Sequence, residues 1–231
     1  MIPLKDENPT KTIPIITITI ILINILVFLY ELRLGDQLED KINQFAVIPY
    51  NLIHSNNPQV LLTLITSLFF HGGFMHVFGN MLYLWVFGNN IEDRLGSFRF
   101  IFFYLLCGVI ATLGYIITAS NLEIPVLGAS GAISGVLGAY ILLYPRARIL
   151  VLIPFFYMWR IVKIKAFWFL LFWILLQFLY GTTSHVLLET TEKGGVAWFA
   201  HIFGFFTGMI LVGIFLKNKD PKIIDYGDDN L

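Results

Sequence analysis

Charge is what this chain of 231 residues has least of: 13% of it is charged, 57% is hydrophobic, and the mean hydropathy is +0.77. Soluble domains carry roughly 25% charged residues. The deficit excludes an ordinary water-soluble globule and points to lipid as the main solvent. Cysteine is nearly missing too. The single Cys107 excludes a disulfide framework within one chain, and in its apolar run it reads as a small buried hydrophobe. Acidic groups are absent from the interiors of the long apolar runs, since all fifteen lie in loops, tails or run ends. Aspartyl-protease chemistry inside the apolar runs is thereby excluded, and so is an acidic third member for a serine triad. No His-Glu-x-x-His occurs, and the five histidines (His54, His71, His76, His185, His201) show no metal-ligand spacing. No metal is expected from these residues. A formal net charge of zero gives no argument for a nucleic-acid partner, and none is expected.

What is present is a series of apolar stretches. Six are long enough, or nearly so, to span a bilayer: about 12–31, 73–91, 98–119, 126–145, 165–181 and 194–216. About twenty residues are needed to cross about 30 Å of hydrocarbon at 1.5 Å per residue. The first stretch follows Lys5 and Lys11 and lacks a small-residue cleavage site after Tyr30, so it reads as a retained helix rather than a secretory signal. The expected fold class is an all-α polytopic membrane protein with six transmembrane helices. Residues 1–11 form an N-terminal segment, 12–216 the bundle and 217–231 a polar, mobile tail. Within the bundle, 32–72 is a long connection whose Pro58–Phe70 part is helical and lies in the interface. The segment Ile149–Trp159 is apolar but too short to span, and Pro154 interrupts it. It reads as re-entrant or interfacial.

Basic residues set the orientation. With a cytoplasmic N-terminus, the inner side holds Lys5, Lys11, Arg94, Arg99, Arg146, Arg148, Arg160, Lys163, Lys165, Lys217, Lys219 and Lys222. The outer side holds Arg33, Lys41 and Lys193. A seventh span at Ile149–Trp159 would spoil this twelve-to-three bias. Both termini are therefore expected in the cytoplasm. The absence of an organelle signal makes a prokaryotic cell membrane the expected location.

Polar groups in hydrocarbon are costly, so each is a site hypothesis. His76 and Asn80 fall in the first half of the second stretch, Ser130 and Ser134 near the start of the fourth, Gln177 late in the fifth, and His201 in the first half of the sixth. All three of these helices bearing Ser130, His76 and His201 start outside, and those residues lie one to two turns in, roughly 5–10 Å below the outer boundary. A serine hydroxyl needs a base to become a nucleophile, and a neutral histidine is the usual one. Acyl transfer also needs donors aimed at the developing oxyanion. His76 and Asn80, four apart, share one helix face. Ser130 stands in Gly128-Ala129-Ser130-Gly131-Ala132 at a helix start with free N–H groups. Gly131, Gly135 and Gly138 face an answering stripe of Ala200, Gly204 and Gly208, which would let the fourth and sixth helices pack closely. With no acid in reach, a Ser-His dyad remains. His71 reads as a loop anchor, Ser134 and Gln177 as interhelical hydrogen-bonding residues, and Glu92 with Arg94 as local pairing at the inner end of the second helix.

These residues resemble the rhomboid family of intramembrane serine proteases. The resemblance rests on His71-Gly-Gly-Phe-Met-His76-Val-Phe-Gly-Asn80-Met-Leu, Glu92-Asp-Arg94-Leu-Gly96, Gly128-Ala-Ser130-Gly131 and Ala200-His201-Ile-Phe-Gly204-Phe-Phe-Thr-Gly208, over about residues 60–216. It implies Ser130 as nucleophile, His201 as general base, His76 and Asn80 as oxyanion-hole donors, and a six-helix bundle around a water-filled cavity open to the outside. The implied partners are transmembrane protein substrates in the lipid bilayer, cut near the outer face. Two features depart from the pattern. Some members have an aromatic residue one turn after the nucleophile that stacks on the histidine; here that position is Ser134, so another group has to orient His201. Some carry a Trp-Arg pair in the first external loop; here Trp159-Arg160 stands elsewhere. The rival readings are a non-catalytic rhomboid-like factor that binds membrane proteins, and a small transporter with an intramembrane relay. An intact Ser130/His201 pair argues against the first, and the lack of internal repeats against the second.

Overall fold

The computed structural model describes residues 1–119, 121–155, 158–187 and 196–216. The polar tail 217–231, Lys193 and the side chain of His185 lie outside the described residues. Nine α-helices are described: α1 (Ile15–Glu31), α2 (Leu38–Phe45), α3 (Pro49–His54), α4 (Thr63–Thr66), α5 (Phe74–Leu95), α6 (Ser97–Thr118), α7 (Ser130–Leu143), α8 (Ala166–Leu187) and α9 (Trp198–Phe215). A three-stranded antiparallel sheet accompanies them, in the order β1 (Ile2–Asp6), β2 (Arg148–Phe155), β3 (Met158–Lys165).

Each of the six apolar stretches carries one of the helices α1, α5, α6, α7, α8 and α9. Among the described residues, three helices are long and apolar enough to cross a membrane: α6, α8 over Ala166–Thr183, and α9. Five spans result if each of two bent pairs counts as one: α1 with Gly35–Phe45, bent by 117°, and Pro58–Phe69 with α5, bent by 81°. The chain is a polytopic helical membrane protein. The remaining stretch, the fourth in chain order, holds α7, which is only 14 residues long. Large apolar side chains such as Phe98, Ile117, Trp168, Ile210 and Ile214 point outward, whereas Phe87, Phe100, Phe103, Tyr104 and Tyr140 are fully enclosed.

Helix α7 is the axis of the bundle, with every residue from Gly131 to Tyr140 buried. It can be enclosed because it is small-sided. A Cβ on Gly204 would lie 2.2 Å from the Gly131 carbonyl oxygen, one on Gly208 1.9 Å from that of Gly135, and one on Gly138 1.9 Å from that of Phe205. Glycine at these positions lets the α7 and α9 backbones touch. On the other flank, a Cβ on Gly131 would meet Ala111 at 2.8 Å and one on Gly135 would meet Cys107 at 2.5 Å, so α6 presses on the same helix.

Helices α1 and α5 run antiparallel and are tied at both ends. At one end the Glu92 carboxylate accepts from the backbone N–H groups of Ile16 (2.9 Å) and Thr17 (2.8 Å), from the Thr17 hydroxyl (2.8 Å) and from Ser97 (2.6 Å). An anion at a helix start satisfies orphan donors and complements the dipole. Glu92 thus reaches across to α1 rather than pairing with Arg94. At the other end the Glu31 carboxylate accepts from the backbone N–H of His71 at 3.1 Å, and Phe28 meets Phe74 edge to face at 5.0 Å.

The sheet corrects one expectation. Ile149–Trp159, read as a re-entrant or interfacial break, belongs instead to two antiparallel strands, paired from Arg148↔Lys165 to Phe155↔Met158. The residues read as an N-terminal segment supply its third strand through Ile2↔Leu152 and Asp6↔Ile149. The alternation of Val162 and Ile164 with Lys163 and Lys165 was a period-two signal. The partner strand, over 140 residues away in sequence, gave none.

Candidate active site

Ser130 is the first residue of α7. The loop leading to it is held from two sides. Val126 and Val47 form an antiparallel bridge, and the Gly128 N–H donates to the Ser67 carbonyl at 2.8 Å. Gly128 has φ +116°, a conformation that side chains rarely adopt, and a Cβ there would lie 2.7 Å from the His76 ring and 3.7 Å from Asn80 Nδ2. Glycine is needed at this point both for the turn and for the approach of His76.

His201 sits in the first turn of α9, next to the glycine contact with α7. Its Nε2 is 2.8 Å from Ser130 Oγ. Its Nδ1 is 2.8 Å from Oε1 of Gln177 on α8. The ring lies between Trp173, tilted at 5.9 Å, and Trp198, edge-on at 6.1 Å. His201 is buried and Ser130 half-buried, so the pair is shielded yet reachable. Ser134 does not touch the imidazole through a hydrogen bond; its hydroxyl donates back to the Ser130 carbonyl at 2.7 Å.

His76 and Asn80 stand one turn apart on α5 and line the same cavity of about 680 Å³ as Ser130, Ser134, Trp173 and His201. Asn80 is buried, and its Nδ2 has no hydrogen-bond partner among the described residues. An unpartnered buried donor beside a cavity is costly and is available to an oxygen placed there. The Gly72 N–H approaches His76 Nδ1 at 3.4 Å. His71 packs edge-on against His76 at 5.1 Å and holds the chain entering α5 through the Glu31 contact. His54 is on α3, stacked on Tyr50 at 4.4 Å and away from the cavity. No group of three or more metal-ligating side chains occurs among the described residues.

The sequence profile of the Rhomboid domain matches residues 58–218. The chain belongs to the rhomboid family. Similar relatives include the mitochondrial Rhomboid protein 1 of Saccharomyces cerevisiae, 36% identical over 108 residues, covering 45% of this chain and 31% of the relative. The Rhomboid protease GluP of Bacillus subtilis is 32% identical over 135 residues, 58% of this chain and 25% of the relative. The Putative rhomboid protease YdcA of the same organism is 37% identical over 78 residues, 34% of this chain and 39% of the relative. This rhomboid thus matches between a quarter and two fifths of the length of these relatives. Rhomboids are generally serine proteases that act within the bilayer.

Two residues of this rhomboid's site, Trp173 and Trp198, were not singled out by sequence reasoning, whereas Gln177, read as an interhelical hydrogen-bonding residue, does bond from α8 to His201 of α9. Trp173 precedes Gln177 by four positions and Trp198 precedes His201 by three, so each pair shares a helix face. That spacing was the available signal.

Proposed function

We propose that this rhomboid is an intramembrane serine endopeptidase that cuts transmembrane segments of membrane proteins near the outer face through a Ser130–His201 dyad. The observation that carries the reading is the 2.8 Å contact between Ser130 Oγ and His201 Nε2 at the wall of a 680 Å³ cavity. Helix α7, with 14 residues, is about 21 Å long, against roughly 30 Å of hydrocarbon. A helix this short starts below the membrane surface, which sinks Ser130 to the depth of an unwound substrate segment while loops above it admit water. In the proposed reaction, Ser130 Oγ attacks the scissile carbonyl carbon as its proton passes to His201 Nε2. The oxyanion receives hydrogen bonds from Asn80, His76 and the Ser130 N–H. Collapse breaks the C–N bond, and His201 returns the proton to the leaving amine. Water, deprotonated by His201, then hydrolyses the acyl-enzyme. No cofactor is called for.

The test is cleavage of a model transmembrane substrate in liposomes by the wild type, Ser130→Ala and Ser134→Ala. Wild type and Ser134→Ala are expected to cut and Ser130→Ala to lose at least about 10³-fold. Equal cleavage by Ser130→Ala would refute the nucleophile. Failure of the wild type across a panel of substrates, with the protein still binding them, would favour a non-catalytic binding factor.

A further inference from the structure

We propose that Gln177 is the positioning residue of His201: its side-chain amide, set by the Trp173 carbonyl, fixes the imidazole tautomer that leaves Nε2 free to take the Ser130 proton. The inference rests on the reading of Ser130 and His201 as nucleophile and base.

The argument follows one chain of donors and acceptors. Gln177 is buried at 5% exposure, so its amide cannot turn to water. Its Nε2 donates to the Trp173 carbonyl, one turn earlier on α8, at 3.1 Å. A carbonyl oxygen only accepts, so the amide nitrogen must face Trp173 and Oε1 must face His201. Oε1 also only accepts. The 2.8 Å contact with His201 Nδ1 therefore requires a proton on Nδ1. In neutral imidazole the other nitrogen is then bare, and it is Nε2 that stands 2.8 Å from Ser130 Oγ. With the amide reversed, an NH₂ would face Nδ1, Nδ1 would have to accept, and the proton would sit on Nε2. The lone pair needed by Ser130 would be gone. Orientation of Gln177 and basicity of Nε2 are thus one choice.

A tie between helices would explain a hydrogen bond from Gln177 to some group of α9. It would not require the acceptor end to meet the nitrogen opposite the nucleophile. The other histidine at the cavity, His76 on α5, lies against Gly128 and makes no hydrogen bond to His201 Nδ1. Ser134, at the position where an aromatic partner was expected, bonds to Ser130's own carbonyl. Trp173 and Trp198 confine the ring but accept no proton from it. Gln177 alone among these neighbours sets the tautomer. A neutral amide here does what the buried carboxylate does in a Ser-His-Asp triad, without burying a charge.

The experiment uses the full chain in liposomes and a fluorophosphonate, which phosphonylates an activated serine as fluoride leaves. Saturation labelling gives kinact and KI for wild type, Gln177→Met, Gln177→Leu, Gln177→Glu and Ser130→Ala, with thermal unfolding run on each. Gln177→Met and Gln177→Leu keep the volume and remove the acceptor. They are expected to lower kinact by about 10–100-fold, the scale of a buried N–H left without its partner, at unchanged KI. Gln177→Glu keeps an acceptor oxygen and should recover kinact to within about tenfold of wild type. Wild-type kinact in both Gln177→Met and Gln177→Leu, if the proteins are folded, overturns the assignment. Equal loss in the Met, Leu and Glu variants does so too, because it makes the residue a packing element only. Labelling of Ser130→Ala, or none of wild type, refutes the dyad itself and takes the Gln177 role with it.

Discussion

A single hydrogen bond at 2.8 Å between Ser130 and His201 spans 71 positions of sequence. What allows it is a row of missing side chains. A Cβ on Gly208 would fall 1.9 Å from the Gly135 oxygen, whereas one on Gly213 of the same helix would meet nothing within 4 Å. Gly208→Ala is therefore expected to force α9 away from α7, costing about 1–3 kcal/mol and most of the cleavage activity, because His201 moves with the helix. Gly213→Ala should be neutral or stabilising by up to about 1 kcal/mol. Unfolding of both variants in detergent checks this, and equal stability of the two would sink the backbone-contact argument. At this scale the sequence was legible where residues repeat. Gly204 and Gly208 against Gly131 and Gly135 is a four-residue period, and depth counting brought Ser130 and His201 to one level. Gln177 was visible as an interhelical hydrogen-bonding residue, but not as the partner of His201. Which face of α8 it occupies depends on how α8 is turned against α9, and periodicity does not fix that in a helix apolar on all sides.

Elements were legible in proportion to how local their signal is. The six apolar stretches each hold a helix, since a run of twenty apolar residues in lipid has to satisfy its backbone internally. The sheet was missed because β1 and β2 meet from distant parts of the chain. Its anchoring point is Asp6, buried at the end of β1, whose Oδ2 accepts from Tyr140 of α7 at 2.8 Å and from Asn90 of α5. Burial raises the Asp6 carboxyl to about 6, against the opposing pull of the Tyr140 and Asn90 hydrogen bonds and of Lys5. The folded value lies above the unfolded one, so the folded state holds the proton more tightly. The contribution of Asp6 to stability is then full below about pH 4 and is lost as pH rises through 6, on the order of 1–2 kcal/mol. Wild type should lose stability between pH 4 and 6.5 relative to Asp6→Asn, which keeps an acceptor and cannot ionise. Parallel stability curves for the two proteins would show that the strand end is not buried as described.

Across the whole molecule, charge and chemistry sort to opposite ends. Eleven Lys and Arg fall within the described residues. Nine of them, Lys5, Lys11, Arg94, Arg99, Arg146, Arg148, Arg160, Lys163 and Lys165, belong to the sheet or to the helix ends and loops beside it. The contacts of Thr12 with Asp93 and of Glu7 with Lys163 hold the N-terminal segment at that end. Arg33 and Lys41 follow α1 at its far end, where Glu31 meets His71 and α5 begins at the cavity. Two independent features, the basic bias and the position of the cavity, therefore define the same axis. The positive-inside rule predicts that the sheet faces the cytoplasm and that the cavity opens outward. The native Cys107 is fully buried and will not compete for a thiol reagent. In intact cells, a membrane-impermeant maleimide is expected to label Lys41→Cys and to reach Lys163→Cys only after permeabilisation. The reverse pattern would turn the cavity toward the cytoplasm. A transmembrane segment would then be cut at its inner end, and the sheet with its strand-end Asp6 would face the external pH instead of a buffered interior.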